Sequence, residues 1–195
     1  MPSDLVSQTL QGAVLSSISN IIAQYISAYK ENVPFTLDPV PVLKFAIFSV
    51  VSNPPNILWQ SFLEESFPNN VLASPPSSAK TNEKTTATKP ETSLSKTNIL
   101  IKFILDQTVG SVMNTLMFLA YMGYVNASPT AKYGPWDAVV HECREKFWPL
   151  ILDGYKLWPI FSIVSFLWIP VNKRIVAGCL VGIGWGVYLS LMVDA

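Results

Sequence analysis

The sequence predicts an all-α integral membrane protein. The expected architecture is a bundle of four transmembrane helices, or five if one short run counts as a span, plus an interfacial amphipathic helix. Three observations carry this. Half of the residues are hydrophobic and only 13% are charged, against roughly 25% in soluble domains. Mean hydropathy is positive, at +0.34. The apolar residues come in long blocks, not in alternating stripes, as helices that meet lipid require. A length of 195 residues fits one membrane domain, 1–195.

The first segment, Leu5–Tyr29, carries no charge and is long enough for a ~30 Å hydrocarbon core. Its polar and small residues, including Gln8, Gly12, Ser16, Asn20 and Gln24, recur at three- and four-residue steps and so share one helix face. Leu10, Val14, Ile18, Ile21, Ile22 and Tyr25 make the other face, suited to lipid. No basic n-region precedes this segment and no Lys or Arg comes before Lys30, so it reads as a retained helix and not a cleaved address.

A proline-rich connector, "KENVPFTLDPVP", leads to a second segment from about Val42 to Phe62. The Pro54–Pro55 pair removes two backbone donors and predicts a kink or break. Trp59 is expected to anchor at the interface. Residues 71–98 are rich in Ser, Thr, Lys and Pro and lack aromatics. They cannot bury enough apolar surface to offset ordering entropy, which predicts a disordered polar loop insertion.

The third segment, Ile99–Val125, holds Asp106, Gly110 and Asn114 at four-residue spacing, with Gln107, Ser111 and Thr115 on the next stripe. Residues 136–152 are amphipathic and predict a helix lying on the membrane surface, ended near Pro149. Leu157–Ile169 is short, and Ile175–Val193 is about one membrane thickness. The "NKR" junction between them predicts an antiparallel hairpin. Gly178, Gly182 and Gly186 form a small-residue row suited to close helix packing, within the chain or between copies.

Asp106 lies seven residues inside Ile99, where a lipid-facing carboxylate costs roughly 2.5–3.5 kcal/mol. It should therefore face the bundle interior, with Lys102, Lys44, Arg174, Asn20 or Gln24 as partners. Asn20, Gln24, Asp106, Gln107 and Asn114 are the candidate polar residues. They serve either as glue between helices or as the lining of a solute path.

Composition narrows the function classes. Net charge is zero, which leaves no nucleic-acid footprint. Cys143 and Cys179 lie in unlike surroundings, so a disulfide framework is not expected. His141 and Cys143 are too few ligands for a metal site. No catalytic constellation or phosphate loop appears, so neither enzyme activity nor a cofactor is expected.

The C-terminal stretch "YKLWPIFSIVSFLWIPVNKRIVAGCLVGIGWGVYLS" resembles the signature of the Mpv-seventeen/peroxisomal membrane protein (PMP twenty-two kDa) family. The matching positions are Trp158, Pro159, Phe166, Pro170, Arg174, Trp185, Tyr188, Leu189 and Ser190. Asp106–Gln107, Gln24, Pro54 and Trp59 extend the resemblance, which looks closest to a fungal-like branch. Ser19–Asn20, Ile57, Ser162 and Ser165 depart from the family pattern and make a milder polar lining. The resemblance implies a four-span protein of the peroxisomal or mitochondrial inner membrane. Some members are thought to form non-selective pores. It favours a weakly selective channel for small solutes, embedded in the lipid bilayer, as a single copy or a homo-oligomer. The alternative is a non-conducting membrane organiser that binds other proteins.

Overall fold

The computed structural model describes residues 2–72, 92–127 and 134–192. Helix α1, Pro2–Lys30, has Asp4 in its first turn and Lys30 in its last, charges that complement the helix dipole. It ends in a paired turn. Asn32 takes a left-handed φ of 53°, and the N–H groups of Asn32 and Val33 donate to the carbonyls of Tyr29 and Ala28. This is the Schellman arrangement, with Asn where Gly is commoner.

Helix α2, Pro39–Ser66, starts earlier than the apolar run suggests. Asp38 caps it by accepting from Val40 N at 2.9 Å, and Pro39 occupies the first turn. At Pro54–Pro55, where a kink or break is expected, the helix does not break; both prolines sit inside it. The carbonyls that lose donors are those of Val50 and Val51, one turn earlier. Both residues lie on the helix's exposed side or its edge, and packing on the opposite side holds the helix through the gap.

The segment 71–98 is not disordered at its ends. Asn70–Leu72 pairs antiparallel with Thr92–Leu94 as β1 and β2. Ser95 then caps helix α3, Lys96–Leu105, by accepting from Asn98 N. The interior of the polar stretch, 73–91, lies outside the described residues. After α3 comes a π-helical segment, Asp106–Gly110, and then α4, Ser111–Val125. Together Lys96–Val125 is the one described helical run long and apolar enough to cross a membrane by length and composition alone.

Helix α5, Pro135–Gly154, corrects the expectation of a surface helix. It continues through Pro149 and runs antiparallel along α4. At one end Gly123 of α4 meets the Val139 backbone; at the other, the Tyr155 hydroxyl donates to the Gln107 carbonyl at 2.9 Å. Val139 and Ile151 are buried, Val139 against Gly123 of α4, while Val140, Trp148 and Leu152 stay exposed. Helix α6, Trp158–Trp168, follows after a 54° bend, and α5 and α6 together are long and apolar enough for a broken span or a re-entrant loop by length and composition alone. Ile169 is extended (φ −100°, ψ 121°), as a residue before proline prefers. Pro170 thus ends α6, and α7, Val171–Met192, turns back along it.

Side-chain contacts fix the directions. Gln24 meets Asp38 and Ser16 meets Phe45, so α1 and α2 are antiparallel. Lys44 meets Asn126 and Glu64 meets Lys102, so α2 and α3–α4 are antiparallel too. Ser162 of α6 reaches Asp106, which continues the descent begun by α5. The described residues therefore run along the bundle five times, with α5 and α6 sharing one pass.

The burial pattern is inverted relative to a water-soluble fold. Gln8, Thr9, Ser49, Ser52, Asn53, Gln107, Ser162 and Ser165 are buried, while Leu10, Val14, Ile18, Leu43, Val51 and Leu58 are exposed. Such a surface suits hydrocarbon.

Close helix approach occurs at glycines other than the expected row. A Cβ on Gly123 would lie 2.8 Å from Val139 Cα, and one on Gly12 would run into the Asn53 side chain. Gly178 only touches the Phe161 ring at ordinary distance, and nothing lies within 4 Å of a Cβ on Gly182. These two do not form a tight seam. Gly186 lies in α7 outside the residues whose side chains are described. Gly123→Ala is expected to destabilise the protein by about 1–3 kcal/mol, because the obstacle is backbone and cannot swing away. Gly182→Ala should cost less than a third of that. Thermal unfolding of the detergent-purified protein checks both, and equal losses would contradict the assigned α4–α5 contact.

Candidate polar cavity

The helices line a half-open cavity of about 750 Å³. Helix α1 contributes Ser16, Ser19 and Asn20; α2 contributes Ser49, Ser52, Asn53, Asn56 and Gln60; the π segment and α4 contribute Asp106, Gln107, Ser111 and Asn114. Ser162 and Ser165 come from α6, and Arg174, Gly178 and Gly182 from α7. Along α2 the wall runs from Phe45 to Gln60, about 22 Å at 1.5 Å per residue. That is most of a ~30 Å hydrocarbon thickness.

A ladder of polar pairs joins α2 to the third pass. Ser52, Asn56, Gln60 and Glu64 are four residues apart and so share one face of α2. Asn56 Nδ2 donates to Asn114 Oδ1 at 2.6 Å, Gln60 Nε2 to Asp106 Oδ1 at 2.9 Å, and Lys102 Nζ to Glu64 Oε2 at 2.8 Å. This α2 row escaped the sequence reading, although its spacing was present, because the double proline argued against a continuous helix there.

Asp106 is held by neutral donors. Besides Gln60, Ser162 Oγ donates at 2.7 Å and Gln107 Nε2 at 3.3 Å to the second carboxylate oxygen. Gly110 keeps this corner open: a Cβ there would lie 2.9 Å from Trp59 Nε1 and 3.2 Å from Asp106 Oδ1. Trp59 thus packs against the middle of the third pass, stacked on Phe62 at 5.8 Å; it is not an end anchor. No basic side chain pairs with Asp106 among the described residues. Lys102, its expected partner, turns to Glu64 instead. Lys44 reaches Asn126 at 2.6 Å, at the far end of the bundle.

Arg174 also goes to Glu64. Its Nη2 donates to Oε2 at 2.7 Å and its Nε to the Ile169 carbonyl at 3.1 Å. Lys102 is fully buried and Arg174 is 3% exposed. Asn69 completes the cluster by accepting from Lys102 and donating to the Phe166 carbonyl. Phe166 lies under both cations, with centroid distances of 5.3 Å and 4.9 Å.

Of the sequence-predicted polar residues, Asn20, Asp106, Gln107 and Asn114 line the cavity. Gln24 does not. Its side chain clasps the connector, exchanging two hydrogen bonds of 2.8 Å with the Asp38 backbone, and it bonds Asn20 at 2.9 Å. Trp158, Phe166, Arg174 and Trp185 border the cavity. Pro159 lies in the first turn of α6, while the side chain of Tyr188 is outside the described residues. Cys143 and Cys179 are free.

A model of the Mpv17 / PMP22 family matches residues 130–190. PXMP2/4 family protein 3 of Dictyostelium discoideum is 23% identical over 185 residues, covering 95% of this chain and 82% of that protein. Protein sym1 of Schizosaccharomyces pombe is 24% identical over 201 residues, covering 96% and 84%. Peroxisomal membrane protein PMP22 of Arabidopsis thaliana is 27% identical over 90 residues, 46% of this chain and 45% of that protein. No solved structure matches.

Removing Glu64 should hurt more than removing either cation, because it strands two buried positive charges. Glu64→Gln is expected to cost about 3 kcal/mol, the low end for buried pairs since the carboxylate is 27% exposed. Lys102→Met leaves the Glu64–Arg174 pair intact and should cost clearly less. Denaturant unfolding in detergent measures both, and the reverse order would refute the charge accounting.

Proposed function

Because the chain belongs to the Mpv17 / PMP22 family, we propose that it is a weakly selective conduit for small solutes in an organellar membrane. The protein is an integral membrane protein of the peroxisomal or mitochondrial inner membrane. In this reading each of the five passes of the bundle crosses the bilayer, with α5 and α6 as one broken span. The observation that supports conduction is the polar wall of the cavity, which extends about 22 Å along α2. Amides and hydroxyls there can replace part of a solute's hydration shell.

The fixed charges account for weak selectivity. Asp106 supplies one negative charge to the wall. Lys102 and Arg174 against Glu64 leave one positive charge near it. Ser162 contacts Asp106 and Phe166 lies under the cations; these two residues are four apart on α6, about 6 Å. The opposed charges nearly cancel at longer range, so neither ion sign is strongly excluded.

A second reading is a non-conducting organiser in which the polar rows act as glue. It draws on the fact that Asn56 pairs with Asn114 and Gln60 with Asp106.

Planar-bilayer recording of the purified protein separates the two. Conductance steps above the empty-bilayer control are expected, and their absence would remove the conduit reading. Asp106→Asn should shift the cation-to-anion permeability ratio toward anions by about fivefold, the equivalent of roughly 1 kcal/mol for a unit charge at short range in wet surroundings. An unchanged ratio would mean that the carboxylate does not face the path.

A further inference from the structure

The Glu64 cluster does not balance its charge. Two buried cations contact the same carboxylate oxygen, at 2.8 Å from Lys102 Nζ and 2.7 Å from Arg174 Nη2. Their remaining acceptors are neutral: the Asn69 side-chain oxygen and the Ile169 carbonyl. Among the described residues the cluster therefore holds one positive charge in excess, where Lys102 is fully buried and Arg174 nearly so; Asp106, about one turn along from Lys102, balances it at a distance but touches neither cation. Uncompensated buried charge is among the costliest arrangements a fold can hold.

The shortfall is localised. Arg174 Nη1 is buried and has no acceptor among the described residues. Lys102 makes two hydrogen bonds to oxygen, and an ammonium has three donors. Arg174 also stands near the start of α7, Val171–Met192, where the helix dipole adds positive potential and favours an anion, not a cation. Arg174 and Phe166 border the cavity, so the cluster has a face on the solute side.

We propose that this cluster is a binding site for a phosphate-type oxyanion, which takes Arg174 Nη1 and neutralises the residual charge. A guanidinium presents its donors in a planar fork that matches such oxygens. The anion approaches along the cavity wall, between Phe166 and the Asp106 corner. Glu64 is the counter-ion that tunes the site. It holds both cations in place and limits affinity by competing for them. The site does not depend on conduction, since a closed cavity could bind the same anion.

The test uses the full-length protein purified in a neutral detergent. Unfolding temperature is followed with inorganic phosphate added at constant ionic strength, and separately with phosphatidic acid in mixed micelles. Phosphate is expected to raise the unfolding temperature in a saturable manner. Arg174→Gln should abolish the rise, and Lys102→Met should weaken it. Lys146→Gln removes an exposed cation, 59% accessible, and should leave it unchanged. Glu64→Gln should bind phosphate on the order of tenfold more tightly, because a competing negative charge is gone, and phosphate should restore part of its lost stability. This gain keeps the test decisive even if Arg174→Gln does not fold. A response to phosphatidic acid alone, lost in Arg174→Gln, assigns the same site to a lipid headgroup. No response to either anion, or an affinity that Glu64→Gln leaves unaltered, overturns the proposal. Because no current is measured, a negative result here is distinct from a failure to conduct.

Discussion

Side chains that need hydrogen bonds are kept away from hydrocarbon, and this constraint orders the rest of the structure. Asn56, Gln60 and Glu64 on α2 face Asn114, Asp106 and Lys102 on the third pass. The apolar residues of the same helices, Val51 and Leu58 among them, are left outside. Water would drive the opposite arrangement. In lipid the outward leucines gain nothing by association, so the polar pairs and close glycine contacts must specify which helices meet and in what register.

That specification has two grades. Midway along the bundle the contacts are amide to amide and amide to carboxylate, each worth little singly, about 0.6 kcal/mol on average within membranes. At the Glu64 end they are ionic and almost dry. The amides therefore set alignment cheaply along a wall that also borders open space. The ion cluster fastens α2, α3 and α7 to one another through a single carboxylate. It also draws in Asn69, next to β1, so the entry to the polar stretch 73–91 is tied to the same fastening.

Much of this was legible in the sequence. The third pass and its Asp106–Gly110–Asn114 row and the outward face of α1 follow from periodicity, and the α6–α7 hairpin from its short junction. What was not legible has physical causes. Pro54–Pro55 suggests a kink or break because propensity describes an isolated helix, whereas here packing on the opposite face carries the helix unbroken past two missing donors. Residues 136–152 looked like a surface helix because their charge is one-sided. Gly123 gives α5 a groove in α4, and a one-sided charge is equally suited to a helix on the outside of a bundle end. The i,i+4 spacing makes Lys102 one candidate partner of Asp106, among five, but a longer-range carboxylate, Glu64, holds it. Local spacing says which groups can meet and not which competitor is nearer in the fold.

The π-helical turn at Asp106–Gly110 has a consequence for how the third pass can change. Such a turn holds one residue more than an α turn, so it acts as a phase setter between α3 and α4. Deleting one amino acid there would let ordinary α-helix run through and leave the residues beyond it in nearly the same rotational phase, because one α turn replaces one π turn. Asn114 would still face Asn56, and Gly123 would still offer its bare backbone to Val139. The same deletion within the plain α-helix of α4, ahead of Asn114, would rotate everything beyond it by about 100° and unseat both contacts.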